Sequence, residues 1–530
     1  MRQRITKEFK LSDNFAHKTI TTAPNPPLRH LLAQEKVASI DKSGVSLRTE
    51  RATFPTHSPF KRFAKHADSL TGPSTLLSAI TTMLTIQGQK SRYCDGISRR
   101  GFLKVGGLSF GAGGFSLADL LRAEAASGKG SSHKAVINIF LAGGPPHQDM
   151  WDIKSEAPSE VRGEFQAIKT NVPGIEICEV FPKLAGMMDK AAVIRSVVGC
   201  SGGHDAVQCL SGWRPNELQS IGGRPSIGSA VSKLFGPVDP SMPPNVGLAE
   251  KTKHVPWSDS GAAGFLGAAY APFKPDGPGM QNMSLNGITL DRLSDRRRLL
   301  TEIDSMRRDI DISGTMEGMD AFGQRALDVL TSSKLLDALD LSKEDPKVVA
   351  RYGDGKPYQY QYDGAPTCND HLLMARRLVE AGARVVSLSY GRWDSHGQNF
   401  DLVRDHGSKL DQCLSALIED LDVRGMLDDV TVVVWGEFGR TPKINENAGR
   451  DHWTQVSCAW MAGGGMRTGQ AIGATNKMGE VPADRPVHMQ EIVATLYHNL
   501  GIDTATVTIP DPTGRPQYLV DHDPIQELVS

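Results

Sequence analysis

The 530-residue chain has no excess of charge of either sign: 59 Lys and Arg stand against 60 Asp and Glu, a net charge of -1. That balance excludes nucleic-acid binding driven by bulk charge, which needs a basic excess to displace the counterions around phosphates. The chain also lacks any run near the ~18 uncharged apolar residues that would span a bilayer. Its seven cysteines (94, 178, 200, 209, 368, 413 and 458) include no CxxC pair and are odd in number. Neither a disulfide framework nor a zinc ribbon is therefore expected, and Cys200 and Cys209 read as small buried hydrophobes. With 39% hydrophobic and 22% charged residues the composition is still that of a globular protein. What the chain has in plenty is 54 Gly and 31 Pro, which imply many turns and close backbone approaches.

Residues 1–82 carry no sustained apolar period and include the run Ala23-Pro24-Asn25-Pro26-Pro27. They are expected to be disordered, or an N-terminal extension that is not translated. Ser98-Arg99-Arg100-Gly101-Phe102-Leu103-Lys104 then matches the twin-arginine export pattern, followed by a glycine-diluted apolar stretch over 105–121 and by Ala123-Glu124-Ala125, an A-x-A cleavage site. Met83, shortly before Ser98, is the expected start. This makes 83–125 a signal peptide and 126–530 one exported domain, periplasmic or secreted, with no membrane span once the signal is removed.

Within 126–530, β-branched apolar runs at 135–141, 191–198, 383–390, 430–435 and 457–461 read as strands, and periodic patterns at 371–381, 400–423 and 489–500 as helices. Alternation of this kind predicts an α/β fold, a mainly parallel central sheet with helices on both faces. Residues 237–285, rich in Gly and Pro and without a period, are expected to form a long excursion over the sheet.

Ligands of open parallel sheets bind beyond the carboxyl ends of the strands, so the polar residues there matter most. The first run leads to His147-Gln148-Asp149-Met150-Trp151-Asp152, the second to Cys200-Ser201-Gly202-Gly203-His204-Asp205, and the third to Trp393-Asp394-Ser395-His396. The fourth leads to Glu437 and Arg440, with Arg450-Asp451-His452-Trp453 shortly after. Mixed Asp, Glu and His ligation suits zinc, manganese, iron or calcium. Two such ions about 4 Å apart can clamp a phosphoryl-type group and activate a nucleophile. A single Asp or His after a strand is ordinarily a cap or turn former. Glu437 fits that poorly, because it follows VTVVVW directly and lies between Gly436 and Gly439.

WGEFGRTP at 435–442, GRDHW at 449–453, MARRLVEAGARVV at 374–386, WDSHG at 393–397 and LAGGPPHQDMWD at 141–152 resemble the exported bacterial family called domain of unknown function 1501. That family is grouped with the alkaline phosphatase and sulfatase superfamily, and the resemblance runs over roughly residues 83–525. It implies an alkaline-phosphatase/sulfatase-like fold and one or two divalent ions (zinc, calcium or manganese). Asp394, His396 and His452 would resemble the ligands of one ion, and Glu437 with Asp149 or Asp152 those of the other. Arg440 would bind an anionic substrate or pair with a ligand carboxylate. Three departures stand out: Glu437-Phe438 replaces the family superfold's Asp-His, so one imidazole is missing; the Asp-x-x-x-His spacing is shortened to Asp394-Ser395-His396; and Gly143-Gly144 replaces the first aspartate. In sulfatases a C-x-P-x-R segment carries the nucleophile; here its Pro and Arg are absent around Cys200, so formylglycine is not expected. Ser201 is then the candidate alkoxide nucleophile, with His204 as a ligand or acid/base.

The expected function is an exported metal-dependent hydrolase of phosphate or sulfate esters, on a small-molecule or glycan substrate. The alternative is a non-catalytic protein that keeps the fold and binds glycans or an envelope partner, and a third is a structural member of an envelope complex.

Overall fold

The computed structural model describes residues 133–275, 332–359 and 364–529, all within one compact unit. The N-terminal extension and the export signal lie outside the described residues, as does much of the later part of the Gly/Pro-rich stretch.

The main sheet is built from eight strands: β1 Ala135–Ala142, β2 Ala191–Val198, β3 Asn245–Leu248, β4 Val385–Arg392, β5 Val430–Trp435, β6 Ser457–Gly463, β7 Gln470–Ile472 and β8 Val487–His488. Their order is β7-β2-β6-β5-β1-β4-β3, with β8 also paired to β2. Every pairing is parallel except those of β6, which runs against both β2 and β5. The expected mainly parallel α/β sheet is therefore the fold. Five of the strands match the β-branched runs closely. The sequence pattern missed β3, which lies inside the glycine- and proline-rich stretch: Asn245-Val246-Gly247-Leu248 is too short to show a period, yet it pairs in register with β4. The excursion thus begins only after the sheet's edge strand.

The near-continuous apolar character of β1 and β5 follows from burial on both faces. Along β1, Ile137, Ile139 and Leu141 enter one hydrophobic core, while Val136, Phe140 and Ala142 enter the other. The first core is covered by α3 Asn369–Glu380 and α4 Asn399–Val423, through residues such as Leu372, Leu378, Leu410 and Leu417. The second is covered by α2 Ile227–Phe235 and α5 Met489–Asn499, with the short α1 Val207–Ser211 beside them. Helices therefore lie on both faces. Helix α5 starts where it does because His488 caps it, with Glu491 returning a bond to the cap backbone. Among the described residues no helix is long and apolar enough to cross a membrane.

The reversed direction of β6 has a consequence for the carboxyl edge. Ala459 pairs with Trp435, so the chain leaves β5 at that edge, makes a loop over 436–456 and re-enters at the same edge. Residues before β6 are thereby delivered to the place where β1, β2, β4 and β5 end.

Candidate metal centre

Gly143 and Gly144 follow β1 with φ of +105° and +80°, a region that side chains disfavour. A Cβ on Gly143 would lie 2.6 Å from the Asp394 nitrogen, and one on Gly144 2.5 Å from the Phe438 ring. The turn they make aims two backbone N–H groups at one carboxylate. Gly143 donates to Glu437 Oε1 at 2.9 Å and Gly144 to Oε2 at 3.1 Å. Glu437 is fully buried, and its Oε1 also lies 2.9 Å from His204 Nδ1.

The other nitrogen of His204 points at Asp394. Around Asp394 Oδ1 stand His204 Nε2 at 3.5 Å, His396 Nε2 at 3.1 Å and His452 Nε2 at 3.5 Å. His396 Nε2 and His452 Nε2 are themselves 3.1 Å apart. All four ligand atoms lie within 4.8 Å of one another. A tetrahedral ion bonded at about 2.0–2.1 Å would hold its ligand atoms about 3.3–3.4 Å apart. The four quoted separations bracket that edge length, so the residues fit a single divalent ion. Three imidazoles and one carboxylate suit zinc, manganese or iron and argue against calcium, which takes oxygen ligands. The surroundings match what metal-bound histidines need: the far nitrogen of each of two rings meets a carboxylate, His204 Nδ1 at Glu437 and His396 Nδ1 at Asp451 Oδ1, 2.7 Å away. Phe438 packs against His204 and His452, with ring centroids 5.3 and 4.5 Å apart.

Charge is balanced locally. Burial opposes ionisation of Asp394, but His204 and the Arg440 guanidinium hold its carboxyl far below the usual carboxylate range. Burial also pulls His204 down, yet its bonds to Asp394 and Glu437 outweigh it and raise the imidazole to about 9. His452 is lowered by burial, by Arg440 and by His204.

Asp394, His396 and His452 are thus brought together as expected, and His204 joins them as the fourth member. The imidazole missing after Glu437 is replaced by one from the loop after β2. Three other expectations need correction. Glu437 is not among the clustered ligand atoms; it braces His204 and the β1 turn. Asp149 is fully buried and accepts bonds from Arg450 Nε at 2.7 Å, Arg450 Nη2 at 2.9 Å and Asn399 Nδ2 at 2.7 Å, so its charge is already matched away from the cluster. Asp152 accepts from Lys154 at 2.9 Å and from Thr475, which likewise sets it apart. Arg440 is fully buried, donating to the carbonyls of Gly143, Gly144 and Arg450 and to Asp394. Of the two roles the sequence left open for it, the carboxylate pairing with Asp394 is the one present, and its burial closes it to a substrate.

Ser201 donates its backbone N–H to Gln208 at 2.6 Å, and its buried Oγ makes no hydrogen bond among the described residues. Both nitrogens of His204 face carboxylates, Nδ1 at Glu437 and Nε2 at Asp394. Two neighbours of the cluster carry no expected role in the sequence: Asp451, within the GRDHW motif, and Arg392, which ends β4 two residues before Asp394. Arg392 lines a cleft of about 360 Å³ together with Asp394, Gly397, Gln398 and Asn447. Gln398 adopts φ of +53° there, a conformation that costs on the order of 1 kcal/mol and concentrates at functional sites.

The family model described as "Protein of unknown function (DUF1501)" matches residues 133–529. No curated protein sequence matches the chain. Among solved structures, the chain is similar to the lipoteichoic acid synthase LtaP from Listeria monocytogenes at 10% identity and a TM-score of 0.33, covering 71% of this chain and 74% of that one. It is similar to the PsFucS1 sulfatase from Pseudoalteromonas sp. at 13% identity and 0.32, covering 74% and 72%. It is also similar to the C-terminal periplasmic domain of EcEptC from Escherichia coli at 8% identity and 0.31, covering 74% and 87%. The chemistry of the site is therefore read from its own side chains.

Proposed function

We propose that this chain, which belongs to the DUF1501 family, is an exported metal-dependent hydrolase of phosphate or sulfate esters. The observation that carries this reading is the convergence of His204, Asp394, His396 and His452 beside a cleft that Arg392 lines. A divalent ion held by those four residues would act as a Lewis acid toward an ester oxygen and lower the pKa of water.

The chain's own residues supply the rest. Glu437 and Asp451 keep the Nδ1 protons of His204 and His396 in place, so that both Nε2 atoms face the ion position. Arg440 fixes the rotamer of Asp394. Arg392, whose guanidinium lies 3.8 Å from Asp394 Oδ2, offers the anionic ester a cation on the cleft wall. The Ser201 hydroxyl makes no hydrogen bond among the described residues, so water is the nucleophile in this reading. Metal bound in stoichiometric amount, and turnover of aryl phosphates or aryl sulfates that disappears in His452→Ala together with that metal, is the expected result. Activity and metal content that both survive His452→Ala overturn it.

A second reading has one specific observation in its favour. Four protein ligands fill a tetrahedral ion completely, and closed sites are structural whereas catalytic ones keep a position open. With zinc the protein would then be a non-catalytic binding protein, whereas an octahedral ion such as manganese or iron leaves two positions for substrate and water. Metal identity in the purified protein separates the two: zinc alone, with no turnover across an ester panel, favours binding.

A further inference from the structure

We propose that Glu250, Cys368 and His371 form a second metal site, of carboxylate–thiolate–imidazole type suited to zinc, that ties the end of the edge strand β3 to the first turn of α3. The three ligand atoms lie within 4.8 Å of one another, and the group shares no residue with the one around Asp394. It does not depend on the hydrolase reading.

The placement follows from the fold. Glu250 comes two residues after Leu248, the last residue of β3. Cys368 is the residue that caps α3, and His371 sits in its first turn. A spacing of three residues puts both side chains on one face of a helix start. This C-x-x-H pair is invisible to a search for CxxC, and its third member is more than a hundred residues away in sequence.

His371 Nε2 stands 3.6 Å from Glu250 Oε1, too far for a hydrogen bond. That is close to the separation of two ligand atoms on one tetrahedral ion, about 3.3–3.4 Å for nitrogen and oxygen. The Cys368 sulfur is buried, and its thiol donates only weakly, to the Gly355 carbonyl at 3.6 Å. Sulfur with nitrogen and oxygen is a borderline-soft donor set, which zinc accepts and magnesium or calcium does not. Among the described residues Cys368 is the one cysteine that has both an imidazole nitrogen and a carboxylate oxygen within this radius. Burial pushes its thiol up to about 12, so without an ion it stays protonated. Binding breaks the S–H bond, releases the proton to solvent and forms the S–metal bond, with the metal's charge stabilising the thiolate.

Cobalt(II) titration of the full chain tests the site, because a thiolate ligand adds a near-ultraviolet sulfur-to-cobalt charge-transfer band that three imidazoles and a carboxylate cannot produce. Two equivalents bound and a thiolate band are expected. Cys368→Ser removes the band and one equivalent; His452→Ala removes the other equivalent and keeps the band. Glu250→Gln, at a partly exposed position, should keep the parent's circular dichroism spectrum and weaken binding at the band-forming site at least tenfold. Absence of the band in the parent protein, its persistence in Cys368→Ser, or an affinity within twofold of the parent in Glu250→Gln overturns the proposal.

Discussion

Replacing Asp149 by Asn separates a structural role from a ligand role. Asp149 and Arg450 are both fully buried, and the carboxylate takes two bonds from the guanidinium and a third from Asn399. The substitution keeps the side-chain volume but removes the negative charge, and turns an amide N–H₂ toward the guanidinium. Breaking a buried ion pair from one side costs about 3–5 kcal/mol, because the surviving charge is left uncompensated. In a domain of this size that lowers the thermal midpoint by about 4–6 °C. The melt is run with a chelator, so that no metal contributes to the difference. Removing both charges in Asp149→Leu/Arg450→Met restores only part of the loss: Arg450 also donates to the carbonyls of Val161 at 2.8 Å, Thr441 at 3.1 Å and Pro442, and each stranded carbonyl costs about 1–3 kcal/mol. Metal content of Asp149→Asn at a temperature where it remains folded should equal that of the parent. A chelated midpoint equal to the parent's, combined with lost metal, would refute the reasoning and return Asp149 to the ligand set.

Other outcomes follow from the same geometry. Glu437→Gln keeps an acceptor for His204 but loses the charge, and should weaken metal binding 10–100-fold in a competition with a chelating dye. Had Glu437 been a direct ligand, its loss would abolish stoichiometric binding instead. Gly144→Ala forces a Cβ to 2.5 Å from Phe438 at a φ of +80°; it should destabilise the protein by about 1–3 kcal/mol in urea unfolding, and an unchanged midpoint would show that the turn is not constrained. His147 is buried, and desolvation lowers its pKa from 6.5 to about 4 despite Asp152 nearby. The unfolded chain binds that proton as pH falls below 6.5 while the folded one resists until about 4. Stability is therefore complete above pH 6.5 and falls through this window, by up to about 3 kcal/mol. Urea midpoints at pH 7 and 4.5 should diverge more in the parent than in His147→Gln, and equal divergence would remove His147 from the account.

The five long strands and three helices were legible because their signals are local. Runs such as VTVVVW announce burial on both sheet faces, and HLLMARRLVEA has a helical period. That polar residues after these strands would gather at one edge follows from parallel topology, whereas grouping Asp394, His396 and His452 as one set comes from the resemblance of their motifs to the family. The edge strand β3 was not legible, since four residues carry no period and only their bonds to β4 make them a strand.

Sequence alone determined the fold class and the edge at which Asp394, His396, His452 and His204 would gather. The roles of the remaining polar residues were decided in three dimensions. Asp149, Asp152 and Glu437 are all acids that follow strands, and nothing local distinguishes them from Asp394. The difference is which partner each meets across the fold: Arg450 for Asp149, Lys154 and Thr475 for Asp152, the Gly143 and Gly144 N–H groups and His204 for Glu437. What a carboxylate can do depends on the groups packed against it, and apart from Lys154 the partners named here come from parts of the chain more than two hundred residues away.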